Sequence, residues 1–149
     1  MEVIEMAKKV RDAMTAEPRT AEPTLSLLDA AQLMKSEDVG SLPIVEEGRL
    51  LAVLTDRDIV VRAVAEGADP KAVVIGDVAS REPVTIEPEQ DLDEALMLMA
   101  RHQVRRLPVV ENDRLVGVLA QADVAVEAKA RQAGELVEQI SKPAGTEPR

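Results

Sequence analysis

The chain repeats itself. Shifted by 65 positions, Val10 to Val61 aligns with Ile75 to Val126 without a gap. Pro18 falls on Pro83, Thr20 on Thr85 and Pro23 on Pro88. Leu27, Ala30 and Met34 fall on Leu92, Ala95 and Met99. Leu42-Pro43 falls on Leu107-Pro108, Arg49-Leu50 on Arg114-Leu115, Val53-Leu54 on Val118-Leu119, and Asp58 on Asp123. Shared composition scatters matches of Val and Ala; it does not put Pro, Met and Asp coincidences into one register. A unit of about sixty residues has only a marginal core of its own. The two copies are therefore expected to pack face to face, share an apolar sheet surface and create a pseudo-twofold axis.

Each unit carries the same local signals. A short extended segment is expected after Pro18 and after Pro83. A helix then opens with a capping pattern, Ser26 with Asp29 and Asp91 with Glu94. Leu27, Ala30, Ala31 and Met34, like Leu92, Ala95, Leu96 and Met99, recur at helical spacing. A strand follows, Leu42 to Val45 or Leu107 to Val110, with proline at its second residue, as suits a strand start or a sheet edge. The turns Glu46-Glu47-Gly48 and Glu111-Asn112-Asp113 lead into second strands, Leu50 to Leu54 and Leu115 to Leu119. Second helices begin near Thr55 and Ala120, the first stopping near Gly67. The expected fold is α/β (α+β), two β-α-β-β-α units. The expected boundaries are 8–66 and 73–128 for the units. A helix extension over 129–140 and a disordered, proline-bearing tail over 141–149 follow. Residues 1 to 9 read as a lead-in helix.

Composition narrows the chemistry. The chain lacks Phe, Trp, Tyr and Cys, so its core is aliphatic and no cysteine nucleophile or thiolate metal site exists. His102 is the single histidine, which removes multi-histidine metal sites. A net charge of -10 opposes a polyanion, and no ring is present to stack on a base, so nucleic acid is not an expected partner. No apolar run approaches the roughly 20 residues of a membrane span. The amino terminus lacks an apolar signal core. A cytoplasmic protein is expected, with no membrane partner.

Particular segments then resemble a known family. Val10-Arg11-Asp12-Ala13-Met14-Thr15, Gly40-Ser41-Leu42-Pro43-Ile44-Val45 and Leu54-Thr55-Asp56-Arg57-Asp58-Ile59 resemble the first half of a tandem cystathionine-β-synthase (CBS) domain pair, or Bateman module. His102-Gln103-Val104-Arg105-Arg106-Leu107-Pro108-Val109-Val110 and Gly117-Val118-Leu119-Ala120-Gln121-Ala122-Asp123 resemble the second half. The likeness spans about residues 8 to 128 and is closest to short stand-alone CBS proteins. It implies a compact module with two clefts, dimerisation into a flat disk, and adenosine-containing ligands in the clefts. It further implies that the aspartate of the Thr-x-x-Asp segment grips ribose and its hydroxyl residue meets phosphate. Basic residues before the opposite unit's Leu-Pro strand would reach the phosphate as well.

The candidate site residues also have plainer roles. Thr55 and Asp58 match a helix cap by spacing alone. In the second unit Ala120 cannot cap, yet Asp123 is present, which favours a ribose ligand over a cap. The helix start at Thr55 also offers backbone N–H donors for a phosphate. Arg105 and Arg106 suit a helix end electrostatically, but Gly40 and Ser41 occupy the same positions of the first unit, so the fold does not demand cations there. Strand alternation would put one of the pair on each face. His102 reads as a solvated helix end, Met97 and Met99 as core filler, and Glu46, Glu47, Glu87 and Glu89 as solvated loop charges. The first expected cleft joins Thr55, Asp58, Arg105 and Arg106, with the backbone of Thr85 and Ile86 flanking the base. The second joins Asp123 and Ala120 with Gly40 and Ser41, near Thr20 and Ala21.

The leading expectation is a non-enzymatic regulatory module for an adenosine nucleotide. AMP or ADP ranks first by charge; NAD and ATP follow, and S-adenosylmethionine comes last, because its sulfonium gains nothing from arginines. No cofactor is required. The alternative is a ligand-free dimeric interaction protein of the stress-response type, docking an unidentified protein. An enzyme is not expected, for want of a nucleophile-base pair or a Gly-rich phosphate loop. A homodimer is expected through the helix faces of Ile59 with Ala63 and Val124 with Ala128.

Overall fold

The computed structural model describes residues 8–127. Elements run in the order α1 (Val10–Ala13), β1 (Thr15–Ala16), α2 (Leu27–Glu37), β2 (Ser41–Glu46), β3 (Arg49–Thr55) and α3 (Asp56–Asp58). Helix α3 continues as a wider turn over Ile59–Val64, and a short tight turn at Ile75–Asp77 leads to β4 (Ser80–Arg81). The second unit gives α4 (Leu92–His102), β5 (Arg106–Glu111), β6 (Arg114–Ala120) and a helix, α5, over 121–127. No helix among the described residues is long and apolar enough to cross a membrane.

Helices α2 and α4 form where the capping signals put them. The Ser26 hydroxyl accepts from the Asp29 N–H at 3.0 Å, and Glu94 accepts from the Asp91 N–H at 3.0 Å. Both end in a left-handed residue, Asp38 and Gln103. Leu27, Ala30 and Met34, and Leu92, Ala95 and Met99, are the buried stripes. Leu96 and Met97 depart from the expectation. Met97 is 62% exposed and Leu96 40%, because both lie on the outer side of α4 while Met99 faces the core.

The hairpins β2–β3 and β5–β6 are longer than the sequence signals, with loops of two residues, Glu47-Gly48 and Asn112-Asp113, all four at positive φ. Each carries the same bulge, between Ile44 and Val45 and between Val109 and Val110. Proline sits inside an edge strand. Pro43 and Val45 turn away from β3 toward Ala21, whose N–H donates to Pro43 O, so the missing proline donor falls on the outer edge.

The short strands are exchanged between units. They precede Pro18 and Pro83 rather than follow them, and each completes the sheet of the other unit. β1 pairs with β6 and β4 with β3. Val10 is fully buried among Leu92, Leu107 and Leu119, while its repeat mate Ile75 is fully buried among Leu27, Leu42 and Leu54. The two units therefore hold separate apolar clusters, not the single shared core expected from their size, and are stitched by swapped ends. The sheets meet at one residue pair on the pseudo-twofold axis, Arg49 and Arg114. Lys9 is extended and bridges to Asp91 rather than ending a helix. Lys8 is not helical either, and residues 1–7, the extension over 129–140 and the tail over 141–149 lie outside the described residues.

Past Asp58, α3 is wound with hydrogen bonds five residues apart, Ala65 N–H to Val60 O at 2.9 Å and Ala68 N–H to Ala63 O at 3.0 Å. The apolar faces expected to be open are the closed ones. Ala63 and Val124 are buried, Ile59 packs on the first cluster, and Ala128 lies outside the described residues. On α3 and α5 the exposed large apolar residues among those described are instead Val60, Val61, Val64 and Val126.

Candidate functional site

Strand β3 ends at Thr55, and its last residue turns directly into α3. The Thr55 hydroxyl accepts from the Asp58 N–H at 3.0 Å, and Asp58 Oδ2 accepts from the Thr55 N–H at 3.0 Å, a reciprocal cap. Asp58 is 7% exposed. Its Oδ1 accepts from the Ser80 hydroxyl at 3.0 Å and lies 3.9 Å from Arg62 Nε. Arg62 also donates to Val78 O and Ala79 O. Asp58 thus ties the start of α3 to the swapped strand β4. The Asp56 N–H donates to Gly40 O at 2.9 Å, so three of the four backbone donors at Thr55–Asp58 are already used. The open helix start expected for a phosphate is largely closed.

Asp123 behaves in parallel. The Ala120 N–H donates to Asp123 Oδ2 at 3.0 Å, a bond that needs no hydroxyl on residue 120. The acid keeps a structural role without a capping partner, so its presence beside Ala120 does not by itself argue for a ribose contact.

A cleft of about 520 Å³ opens between the units, within the range usual for small-molecule sites. Its apolar floor is symmetric, with Pro43 and Val53 facing their repeat mates Pro108 and Val118. Thr55 enters from the end of β3, Asp56 and Arg57 from α3, Ser80 to Val84 from the swapped segment, and Gln103 to Arg106 from the segment leading into β5 and its first residue. Four arginines, Arg57, Arg81, Arg105 and Arg106, meet two carboxylates, Asp56 and Glu82, leaving two positive charges in a protein of net charge -10. A Cβ built on Gly40 would stand 3.2 Å from Asp56 Oδ2, which places that carboxylate against Gly40.

The structure redistributes the expected site residues. Thr55, Arg105 and Arg106 line this cleft together, and both arginines reach it although strand alternation would separate them, because Arg105 precedes β5. Gly40 and Ser41, expected in a second cleft with Asp123, line the same one. Asp58 lies behind the wall, bonded as above. Thr85 lines a neighbouring hollow of about 370 Å³ with Arg49 and Asp113. Ile86 is buried in the second cluster, its N–H donating to Pro108 O and its carbonyl accepting from Val110 N–H, so its backbone is not available to a base. Val84 takes the wall position. Arg57 and Arg81 were not anticipated. Their one signal in the sequence is that their repeat mates, Ala122 and Ala16, are uncharged.

The CBS domain model matches the chain twice, at residues 10–64 and 75–129. The CBS domain-containing protein YhcV of Bacillus subtilis is 43% identical over 133 residues, covering 89% of this chain and 94% of that protein. The structure of Hypoxic Response Protein I with two coordinated zinc ions superposes with TM-score 0.74 at 38% identity, over 80% of this chain and 98% of that one. CBSX2 in complex with AMP gives 0.74 at 26% identity, over 83% and 98%. The CBS pair of MJ0100 in complex with 5-methylthioadenosine and S-adenosyl-L-methionine gives 0.75 at 25% identity, over 85% and 99%.

Proposed function

Because this chain belongs to the CBS domain family and carries the domain twice in tandem, we propose that it is a non-enzymatic regulatory module binding an adenosine nucleotide, AMP or ADP, in the central cleft. The carrying observation is the cleft's division into an aliphatic floor of Pro43, Val53, Pro108 and Val118 and a rim with surplus arginine. A base can lie on the floor without aromatic stacking, and a phosphate of about -1.5 to -2 charge meets the two surplus positive charges. The adenosine ligands of CBSX2 and the MJ0100 pair support this class of ligand. Among them a phosphate suits this rim better than the sulfonium of S-adenosylmethionine.

The test uses the absence of aromatic residues. The purified protein is nearly transparent where adenine absorbs, so retained nucleotide is expected as an ultraviolet band, identified by mass spectrometry after release. If no band is present, titration with AMP, ADP, ATP, NAD and S-adenosylmethionine decides. Failure of all of them to bind below about 1 mM, a weak limit of about -4 kcal/mol, would leave the interaction-protein reading.

We read the assembly as a homodimer through the outer faces of α3 and α5. Val60, Val61, Val64 and Val126 are 58, 46, 66 and 65% exposed, apolar surface that burial in a partner would remove from water. Light scattering is expected to give a dimer for the natural chain and a monomer for a Val60→Asp, Val64→Asp double variant. A natural chain that is monomeric at micromolar concentration would refute this.

A further inference from the structure

The repeat allows each cleft residue to be compared with its own mate across the pseudo-twofold axis. The floor residues match their mates. The cations do not: Arg57, Arg81, Arg105 and Arg106 stand opposite Ala122, Ala16, Gly40 and Ser41. Every arginine of the cleft therefore occupies a position at which the same fold, in its other copy, accepts a small neutral residue. Folding does not account for the set.

Nor do internal partners. Arg81 donates to Gly76 O at 3.2 Å, which anchors one nitrogen of its fork. Arg57, Arg105 and Arg106 form no ion pair with a carboxylate among the described residues. Arg57 comes from α3 of the first unit; Arg105 comes from just before β5 of the second and Arg106 is the first residue of that strand. Against the two carboxylates of the cleft, Asp56 and Glu82, the arginines keep a surplus of two positive charges, which favours an added anion.

Resting on the nucleotide reading above, we propose that Arg57 is a specificity-determining residue: it closes a three-arginine clamp, with Arg105 and Arg106, that selects a phosphorylated ligand over the neutral nucleoside. The base contributes binding on the symmetric floor, common to both ligands. The phosphate contributes on the one-sided rim, with charge-assisted, bidentate hydrogen bonds. Arg57 acts on the second part only.

Calorimetry on the full chain with AMP and with adenosine tests this. The natural protein is expected to bind AMP at least about tenfold more tightly than adenosine, the size of one charge-assisted hydrogen bond. Arg57→Ala should lose about tenfold in AMP affinity and leave adenosine within about twofold, and Arg57→Lys should recover part of the loss. The ligand-free melting temperature of Arg57→Ala should be nearly unchanged, since Arg57 forms no ion pair among the described residues. Equal losses for AMP and adenosine, no loss for either, or a marked fall in ligand-free stability would each overturn the proposal. If the natural protein binds neither adenosine nor any of AMP, ADP, ATP, NAD and S-adenosylmethionine, the nucleotide reading fails. Inorganic pyrophosphate then decides the clamp separately: binding that Arg57→Ala weakens retains an anion site, and absence of binding removes it.

Discussion

Replacing Asp58 by alanine is expected to abolish most nucleotide affinity and to destabilise the module, whereas Asp123→Ala should leave affinity nearly unchanged. The stability loss follows from the hydrogen bonds. Asp58 is buried and accepts from the Thr55 N–H and the Ser80 hydroxyl while lying beside Arg62. Its removal leaves those donors without an acceptor, at a cost of about 1–3 kcal/mol. The affinity loss has two routes. If Asp58 exchanges its Ser80 contact for a ribose hydroxyl, the ligand contact is lost; if it does not, the wall formed by Thr55 and Ser80 loses its anchor. A Ser80→Ala variant separates them. It removes the Ser80 contact and spares the carboxylate, so retained affinity assigns the effect to Asp58 itself. Asp58→Ala that binds AMP normally, or calorimetry showing two equal sites per chain, would overturn the assignment of the cleft to the first unit's Thr-x-x-Asp segment.

Gly117→Val is expected to be among the most destabilising single changes outside the clusters, although valine suits a strand. Gly117 lies in β6, opposite Val109 on one side and Ala16 of the swapped strand β1 on the other. A Cβ there would stand 2.6 Å from Met14 Sδ and 2.9 Å from Thr15 O. The backbone oxygen cannot move without breaking the β1–β6 pairing, so the cost is that of overpacking, about 1–3 kcal/mol. The repeat mate, Ala52, tolerates a methyl opposite β4. Thermal unfolding should show a fall of several degrees in Tm. Hydrogen exchange should show loss of protection in β1 before the β2–β3 hairpin is affected. A variant as stable as the natural chain would mean that the swapped strand contributes little to holding the units together.

Both predictions rest on features that differ in how far the residues announce them. The periodic elements were legible. Leu27, Ala30 and Met34 define a helix face by spacing, their mates Leu92, Ala95 and Met99 repeat it, and all six are buried. Leu42, Leu54, Leu107 and Leu119 are fully buried where the strand signals put them. Met97 faces outward, unlike Met99; residue type alone does not say which side of a helix faces inward. The exchange of β1 and β4 was not legible, since two residues carry no periodicity and their partners are distant in the chain.

The site divides in the same way. Thr55, Arg105 and Arg106 could be singled out by motif and by comparison of the units, and the fold brings them to one cleft. The positions of Arg57 and Arg81 on its rim, and the retreat of Asp58 behind its wall, depend on contacts with β4 and the segment after it. The duplication, the main helices, the two hairpins and the aliphatic core follow from local spacing and composition and can be read from the residues alone. The exchange of first strands between the units, and the charged cleft between them, emerge only in three dimensions. Those outcomes depend on which distant backbone edges pair, and short-range pattern does not encode that choice.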